Sequence, residues 1–361
     1  MNLADVAGLR LVNQQLAGTQ FNTPRQIVAW LGAVQAQDYP MAKWALGIRL
    51  PRSTEAMIEA ALDRGEILRT HVLRRTWHFV SADDIYWMLD LTAPRIKASM
   101  KSRHKAMGIT DAMLAKSNRV VSKALGLRGH LSREKLIEEL KGAGIPTDEN
   151  KASHYFVQAE LDEIICSGPR NGNTLTYALL EERVPKRRSL TREESLAKLA
   201  RTYFSSRGPA TVHDFSWWSG LSMADARNAL EMVSSEFDST TKNAVTYWYP
   251  KSITRRKERQ RRPYLLPAYD EFIISYRDRG ASIDLKHQSK TVSDNGIFRP
   301  ATVIGGRVSA LWKRSTVSEK VVIDVRLLRS HSKDERRLIQ KAGERFGEFI
   351  KRDVEMNFGS Y

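Results

Sequence analysis

Leu131-Ser132-Arg133-Glu134-Lys135-Leu136-Ile137 opens a helix, turn, helix and strand pattern. Ser132 is a helix-capping residue type ahead of an apolar-periodic run, so a helix begins here. A second helix is expected through Phe156, Leu161 and Ile165. Gly168-Pro169-Arg170-Asn171-Gly172-Asn173 is a strong turn signal, and Thr174-Leu175-Thr176-Tyr177-Ala178-Leu179 reads as a strand. Helix, turn, helix and then a β wing is the winged-helix plan. The plan has no diagnostic residue, and generic small α+β units fit it as well.

The same plan returns downstream. Thr211-Val212-His213-Asp214-Phe215 begins a helix, Leu221-Ser222-Met223-Ala224-Asp225-Ala226 begins the next, and Val245-Thr246-Tyr247-Trp248-Tyr249 looks like a strand. A looser third copy lies upstream of Val80. There, Leu3 to Leu16 has helical apolar spacing. Thr23-Pro24 offers an N-cap and a proline at the first helical position, opening a helix that carries Ile27, Trp30, Leu31 and Val34. Ser53-Thr54-Glu55 starts another helix, which ends near Gly65. The basic, β-rich run Ile67 to Val80 predicts a hairpin or wing, and Ser81-Ala82-Asp83-Asp84 caps a long helix after it.

After about residue 260 the character changes. Pro263 to Pro267, Phe272 to Tyr276, Thr302-Val303-Ile304, Gly306-Arg307-Val308 and Lys320 to Val325 describe a small β-rich domain, closed by a helix from Lys333 to about Lys351. The module boundaries fall at 1–108, 109–188, 189–262 and 263–361. The third of these takes in the basic linker Lys251 to Arg262.

Lys plus Arg number 58 against 41 Asp plus Glu, a formal charge of +17. The commonest partner for such a positive field is a polyanion. No apolar run is long enough to cross a bilayer, so no membrane partner is expected. Met1 to Asp5 lacks the basic start and apolar core of a signal peptide, and the chain reads as cytoplasmic. Cys166 is the one cysteine, in a helix-like apolar stretch, and reads as a buried structural thiol. No phosphate loop, hydrolase elbow or HExxH helix is present. His71 and His78 have no third ligand nearby, so no metal and no cofactor is expected. The candidate DNA contacts are Arg69, His71, Arg74, Arg75 and His78 in the β-rich run, with Arg255, Arg256, Lys257, Arg261 and Arg262 in the linker. A solvated linker remains the alternative for the second group.

The unusual segment is Gly32-Ala33-Val34-Gln35-Ala36-Gln37-Asp38-Tyr39-Pro40. On a continuous helix, residues two apart point about 200° apart. Pro40 disfavours helix at Tyr39. If the chain loosens at Ala36 or Gln37, both amides can face one cleft. Local hydrogen bonding accounts for the two glutamines equally well.

Ala33 to Pro40 resembles the signature of the AlkZ/YcaQ-like winged-helix DNA glycosylases. So do Leu68 to Arg74 with Thr76-Trp77-His78-Phe79, Leu266-Pro267-Ala268-Tyr269-Asp270-Glu271-Phe272 with Tyr276 to Arg279, and Gly296 to Pro300. These segments span nearly the whole chain in family order. The resemblance implies an α+β fold of three tandem winged helices around a central channel, with a C-terminal β-barrel. It implies hydrolysis of the N-glycosidic bond of N7-alkylguanine, including guanines joined in interstrand crosslinks. The partner is then double-stranded DNA carrying alkylated guanine. Gln35-Ala36-Gln37 resembles the family's catalytic Gln, apolar residue, Gln or Asp motif.

The chemistry explains so mild a motif. An N7-alkylated guanine is cationic and leaves readily as a neutral base, so a strong general acid is unnecessary. Two carboxamides can orient a water below C1′ without removing its proton. Asp38 can favour a cationic transition state, or it can serve as a cap or turn residue. The competing class is a non-catalytic winged-helix DNA-binding protein or regulator. Such regulators commonly dimerise, and this chain shows no heptad dimerisation helix and reads as a monomer.

Overall fold

The computed structural model describes residues 1–148, 150–185, 189–252, 262–317 and 320–361. The chain folds as two compact units. One is Met1–Glu59 with Leu196–Tyr361, and the other is Ala60–Ser195. Both mix helices and strands, so the fold is α+β.

The first unit opens with α1 (Leu3–Asn13) and α2 (Pro24–Leu31). Thr23 and Gln26 form a reciprocal capping box at the start of α2, with Pro24 in the first turn. The sequence reading carried this helix through Val34, but it stops at Leu31. Gly32 takes φ +72°, open to a residue without a Cβ, and Ala33–Gln35 leaves as an extended strand, β1. Asp38 then caps α3 (Tyr39–Gly47), its carboxylate accepting from the Met41 amide at 3.2 Å. Helix α4 (Glu55–Asp63) runs into the second unit.

The second unit begins with the antiparallel hairpin β2 (Ile67–Val72) and β3 (Thr76–Ser81), paired from Ile67 opposite Ser81 to Val72 opposite Thr76. Next come α5 (Ile85–Ala106) and α6 (Asp111–Arg128). The Asp84 carboxylate does not cap α5; it accepts from Ser81 and the Trp87 indole instead. Then follow β4 (His130–Ser132), α7 (Arg133–Gly142), α8 (Lys151–Leu161), β5 (Ile165–Ser167), β6 (Thr176–Leu179) and α9 (Leu180–Arg183). The three strands form one sheet in the order β4-β6-β5. The expected second helix ends at Leu161, because Glu163 takes φ +58° and turns the chain. Ile165 and Cys166 therefore lie in a strand rather than a helix, with Cys166 fully buried. Leu125, Leu136, Leu140, Phe156 and Ile165 share one core.

Helix α10 (Arg192–Arg207) leads back into the first unit. It is followed by α11 (Val212–Ser219), α12 (Met223–Val233) and the hairpin β7 (Phe237–Lys242) with β8 (Val245–Pro250). Strand β9 (Pro263–Leu266) precedes α13 (Glu271–Ile274), so the apolar run at 272–276 forms a helical turn. After α14 (Gln288–Thr291) come β10 (Ala301–Ile304), β11 (Arg307–Val317), β12 (Lys320–Leu327), α15 (Lys333–Ile350) and β13 (Val354–Ser360). The five strands form one sheet in the order β13-β12-β11-β10-β9. Strand β13, absent from the sequence reading, pairs parallel to β12.

Trp44 of α3 ties this sheet to the N-terminal segment. Its ring centroid lies 5.1 Å from those of both Phe346 and Phe349 of α15, and its indole donates to the Leu265 carbonyl at 2.7 Å. The helix that begins at Asp38 is thereby seated on β9, and β9 leads into the turn before α13.

Candidate functional site

The local backbone settles the helix-exit question raised by the two glutamines. Residues 33–35 are extended, so no continuous helix forces Gln35 and Gln37 to opposite sides. Gln35 ends β1 and is 6% exposed; Gln37 is exposed and Asp38 half-buried. The last residue of β1 and the short segment that joins it to α3 thus carry the three candidate catalytic residues, with the Asp38 carboxylate also serving as a helix cap.

What holds this segment is a buried acidic residue from far along the chain. The Gln35 backbone N–H donates to Glu271 Oε1 at 2.9 Å. The other carboxylate oxygen, Oε2, accepts from Arg207 Nη2 at 2.6 Å, Ser275 Oγ at 2.6 Å and the Trp218 indole at 3.0 Å. Glu271 and Arg207 are both fully enclosed. Burial alone pushes a carboxyl upward, but here Arg207 and the hydrogen bonds from Ser275 and Gln35 outweigh it. The group is held at about 2, below its ordinary 4.5. Arg207 also donates to the carbonyls of Leu31 at 2.6 Å and Ala33 at 3.0 Å, and to the hydroxyls of Ser275 and Ser206, each at 2.8 Å. Its guanidinium also lies 4.2 Å from the centre of the Trp218 ring.

A second buried pair flanks the first. Asp270 accepts from Arg49 through both oxygens, each at 2.8 Å, in the bidentate geometry that suits a guanidinium. Arg49 also donates to the Gln14 carbonyl and its side-chain oxygen, and the Gln14 side chain donates to Tyr276 Oη. Tyr276 in turn donates to the Arg207 carbonyl at 2.8 Å, closing the network. Asp270, Glu271 and Tyr276 lie within motifs that by themselves assign these residues no role. The available signal was two adjacent carboxylates inside the apolar run Leu265 to Ile274, because buried charges require partners.

The hairpin of the second unit is built differently. Arg69 is half-buried, with its guanidinium 4.1 Å from the centre of the Trp77 ring. Arg74 and Arg75 lie in the connecting turn, half-buried and exposed respectively. His71 is buried; its Nδ1 meets Glu160 Oε2, which also accepts the His71 amide at 3.1 Å. His78 is fully enclosed, with Nδ1 against the Thr76 carbonyl at 2.9 Å. In the linker, Arg262 is exposed at the entry to β9, whereas Arg255, Arg256, Lys257 and Arg261 lie outside the described residues. Among the described residues there is no group of three or more potential metal ligands, and no helix is long and apolar enough to cross a membrane.

The family model described as DNA glycosylase AlkZ-like matches residues 28–349, and the chain belongs to that family. It is a DNA glycosylase, and DNA is its substrate. Among solved structures it is similar to the Streptomyces sahachiroi DNA glycosylase AlkZ, with a TM-score of 0.81 over 99% of this chain and 100% of that one. At 18% sequence identity this likeness concerns the fold. No curated protein sequence matches the chain.

Proposed function

We propose that this glycosylase hydrolyses the N-glycosidic bond of N7-alkylguanine in double-stranded DNA, using a water oriented by Gln35 and Gln37. The observation that carries the reading is the Gln35 backbone N–H, fixed to the buried Glu271 at the end of a strand that Gln37 and Asp38 follow. Rigid backbone suits carboxamides that orient a water rather than activate it. Asp38 supplies negative charge beside a cationic transition state while it caps α3. The leaving base is already cationic, so no acid is required to protonate it. Interstrand crosslinks present the same bond and fall within the same chemistry. Bulky crosslinked bases do not suit extrusion into a snug pocket, which favours an open site.

We read helices α7 and α8 with the β4-β6-β5 sheet, and α11 and α12 with the β7–β8 hairpin, as winged helices. The β2–β3 hairpin is the wing of a third, and the five-stranded sheet with α15 corresponds to the small barrel. The four modules are then 1–108, 109–188, 189–262 and 263–361. Arg69, Arg74, Arg75 and Arg262 supply DNA contacts, and His71 and His78 shape the hairpin that presents them. The protein acts as a monomer.

The experiment is release of 7-methylguanine from methylated duplex DNA under single-turnover conditions, with a panel of bulkier N7 adducts and a crosslinked duplex beside it. Release of the free base, absent with unmodified DNA, is the expected result. Absence of release from every substrate in the panel overturns the reading.

A further inference from the structure

Tyr269 stands at the centre of a motif that the proposed mechanism leaves unused. The two residues after it, Asp270 and Glu271, are the fully buried anchors described above. Tyr269 itself is half-buried and takes φ +58°, in the left-handed region. A bulky residue adopts that conformation only when its surroundings over-determine it, and such strain gathers at ligand-binding and catalytic positions. Here the over-determination is visible, because Arg49 clamps the next carboxylate and Arg207 the one after it.

The strained turn sets the tyrosine ring against Phe298, with centroids 5.9 Å apart and planes tilted by 47°. The Tyr269 hydroxyl hydrogen-bonds no described residue. Burial, and after it the negative charge of Asp38, push that hydroxyl's pKa upward, so it stays protonated at neutral pH and lies within electrostatic reach of Asp38. Tyr269 is thus tied to the candidate site twice: through Glu271, which holds the Gln35 amide, and through the field of Asp38.

We propose that Tyr269 contacts the substrate as an aromatic platform, its ring face set against the cationic alkylated base or the sugar that develops charge as that base departs. An aromatic face carries negative electrostatic potential and attracts a cation, and a nucleobase stacks on it whatever its sequence context. Phe298 backs the ring, and the left-handed turn directs it. This inference rests on the reading that residues 35–38 form the site, and it names the wall of that site that meets the cation.

Three variants test it in the full-length protein on duplex DNA containing 7-methylguanine, with Gln35→Ala in parallel. Tyr269→Phe keeps the ring and is expected within about threefold of the wild-type single-turnover rate at saturating enzyme. Tyr269→Leu keeps apolar bulk without a π face and is expected to be about tenfold to a hundredfold slower, with duplex affinity nearly unchanged. Tyr269→Asn suits the left-handed backbone, so it is expected to melt within a few degrees of wild type yet excise as slowly as the leucine variant. Wild-type rates for the Leu and Asn variants overturn the proposal whatever Gln35→Ala does, and a Phe variant as slow as Leu overturns the platform role. A wild-type rate for Gln35→Ala beside slow Leu and Asn variants sinks the glutamine reading and still supports contact between the Tyr269 ring and the substrate.

Discussion

Two arginine-rich regions of this protein use the same side chain in opposite ways. In the first unit, Arg49 and Arg207 are fully enclosed, each paired with a carboxylate and each bonded to backbone carbonyls. In the second unit, Arg69, Arg74 and Arg75 sit on a hairpin whose turn leaves Arg75 exposed and Arg74 half-exposed. The first pair is architecture: Arg207 holds the helix end at Leu31 and the backbone of Ala33, and Arg49 ties Gln14 and Ala45 to Asp270. The second group lies on a hairpin, with the Arg69 guanidinium over the Trp77 ring and Arg75 exposed. The comparison teaches that a charge of +17 cannot be read as one surface property, because part of it is consumed inside the fold.

The largest expected effect breaks the buried pair. Arg207→Ala leaves the Glu271 carboxylate enclosed without its counter-charge, and removing one partner of such a pair costs about 3–5 kcal/mol. Thermal and urea unfolding should show a lowered midpoint of that order; a midpoint near wild type would mean that the ion pair does not carry the anchor. The same pair sets an acid limit. A carboxyl held at about 2 when folded, against 4.5 ordinarily, adds stability above pH about 4.5 that is lost as the pH falls toward 2. Glu271→Gln should flatten the stability curve across that window. An unchanged slope there would assign the acid sensitivity to other groups.

Next in size are the site glutamines. Gln35→Ala and Gln37→Ala should each slow excision of 7-methylguanine by about tenfold to a hundredfold, the equivalent of 1–3 kcal/mol for a lost orienting hydrogen bond. Duplex affinity and melting should be nearly unchanged. Gln37→Asp should keep partial activity, since a carboxylate can also hold the water. Wild-type rates in both alanine variants would make these residues structural.

Neutralising Arg69, Arg74 and Arg75 sharpens the other side of the comparison. Each arginine that meets a phosphate should reduce the slope of log affinity against log salt by about one, with folding intact. Titrations from 50 to 200 mM salt measure this, and three unchanged slopes would remove the hairpin from the DNA interface. The smallest effect belongs to an exposed counterpart of Glu271. Glu335 is also held at about 2, by Arg329, but that pair lies at the surface, with side chains 45% and 29% exposed. Glu335→Gln should cost less than about 1 kcal/mol, since solvent screens such a pair. A loss comparable to that of Arg207→Ala would show that burial is not what separates the two regions.

Much of the local architecture was legible in the sequence. Thr23-Pro24, Ser132, Thr211 and Ser222 each mark a helix start that the structure contains, because a cap acts through the next three residues. The Ile67–Ser81 hairpin announced itself by β-branched and aromatic content. Errors fell where a left-handed residue ends a helix inside an apolar run, at Gly32 and Glu163, since apolar periodicity does not register backbone handedness. Strand β13 escaped because its pairing with β12 is parallel and reached only by way of α15.

Most helix caps and the basic excess were readable from residues alone, because they depend on neighbours a few residues apart or on simple sums, whereas the Gln-Ala-Gln segment proved to lie between a strand and the start of the next helix and not at a helix exit. It took the folded chain to show that Glu271, 236 residues from Gln35, holds that segment, and that Arg49 and Arg207 are buried anchors and not surface cations. The reason is physical: a carboxylate and a guanidinium survive burial only through partners, and those partners arrive from distant parts of the chain when the core closes.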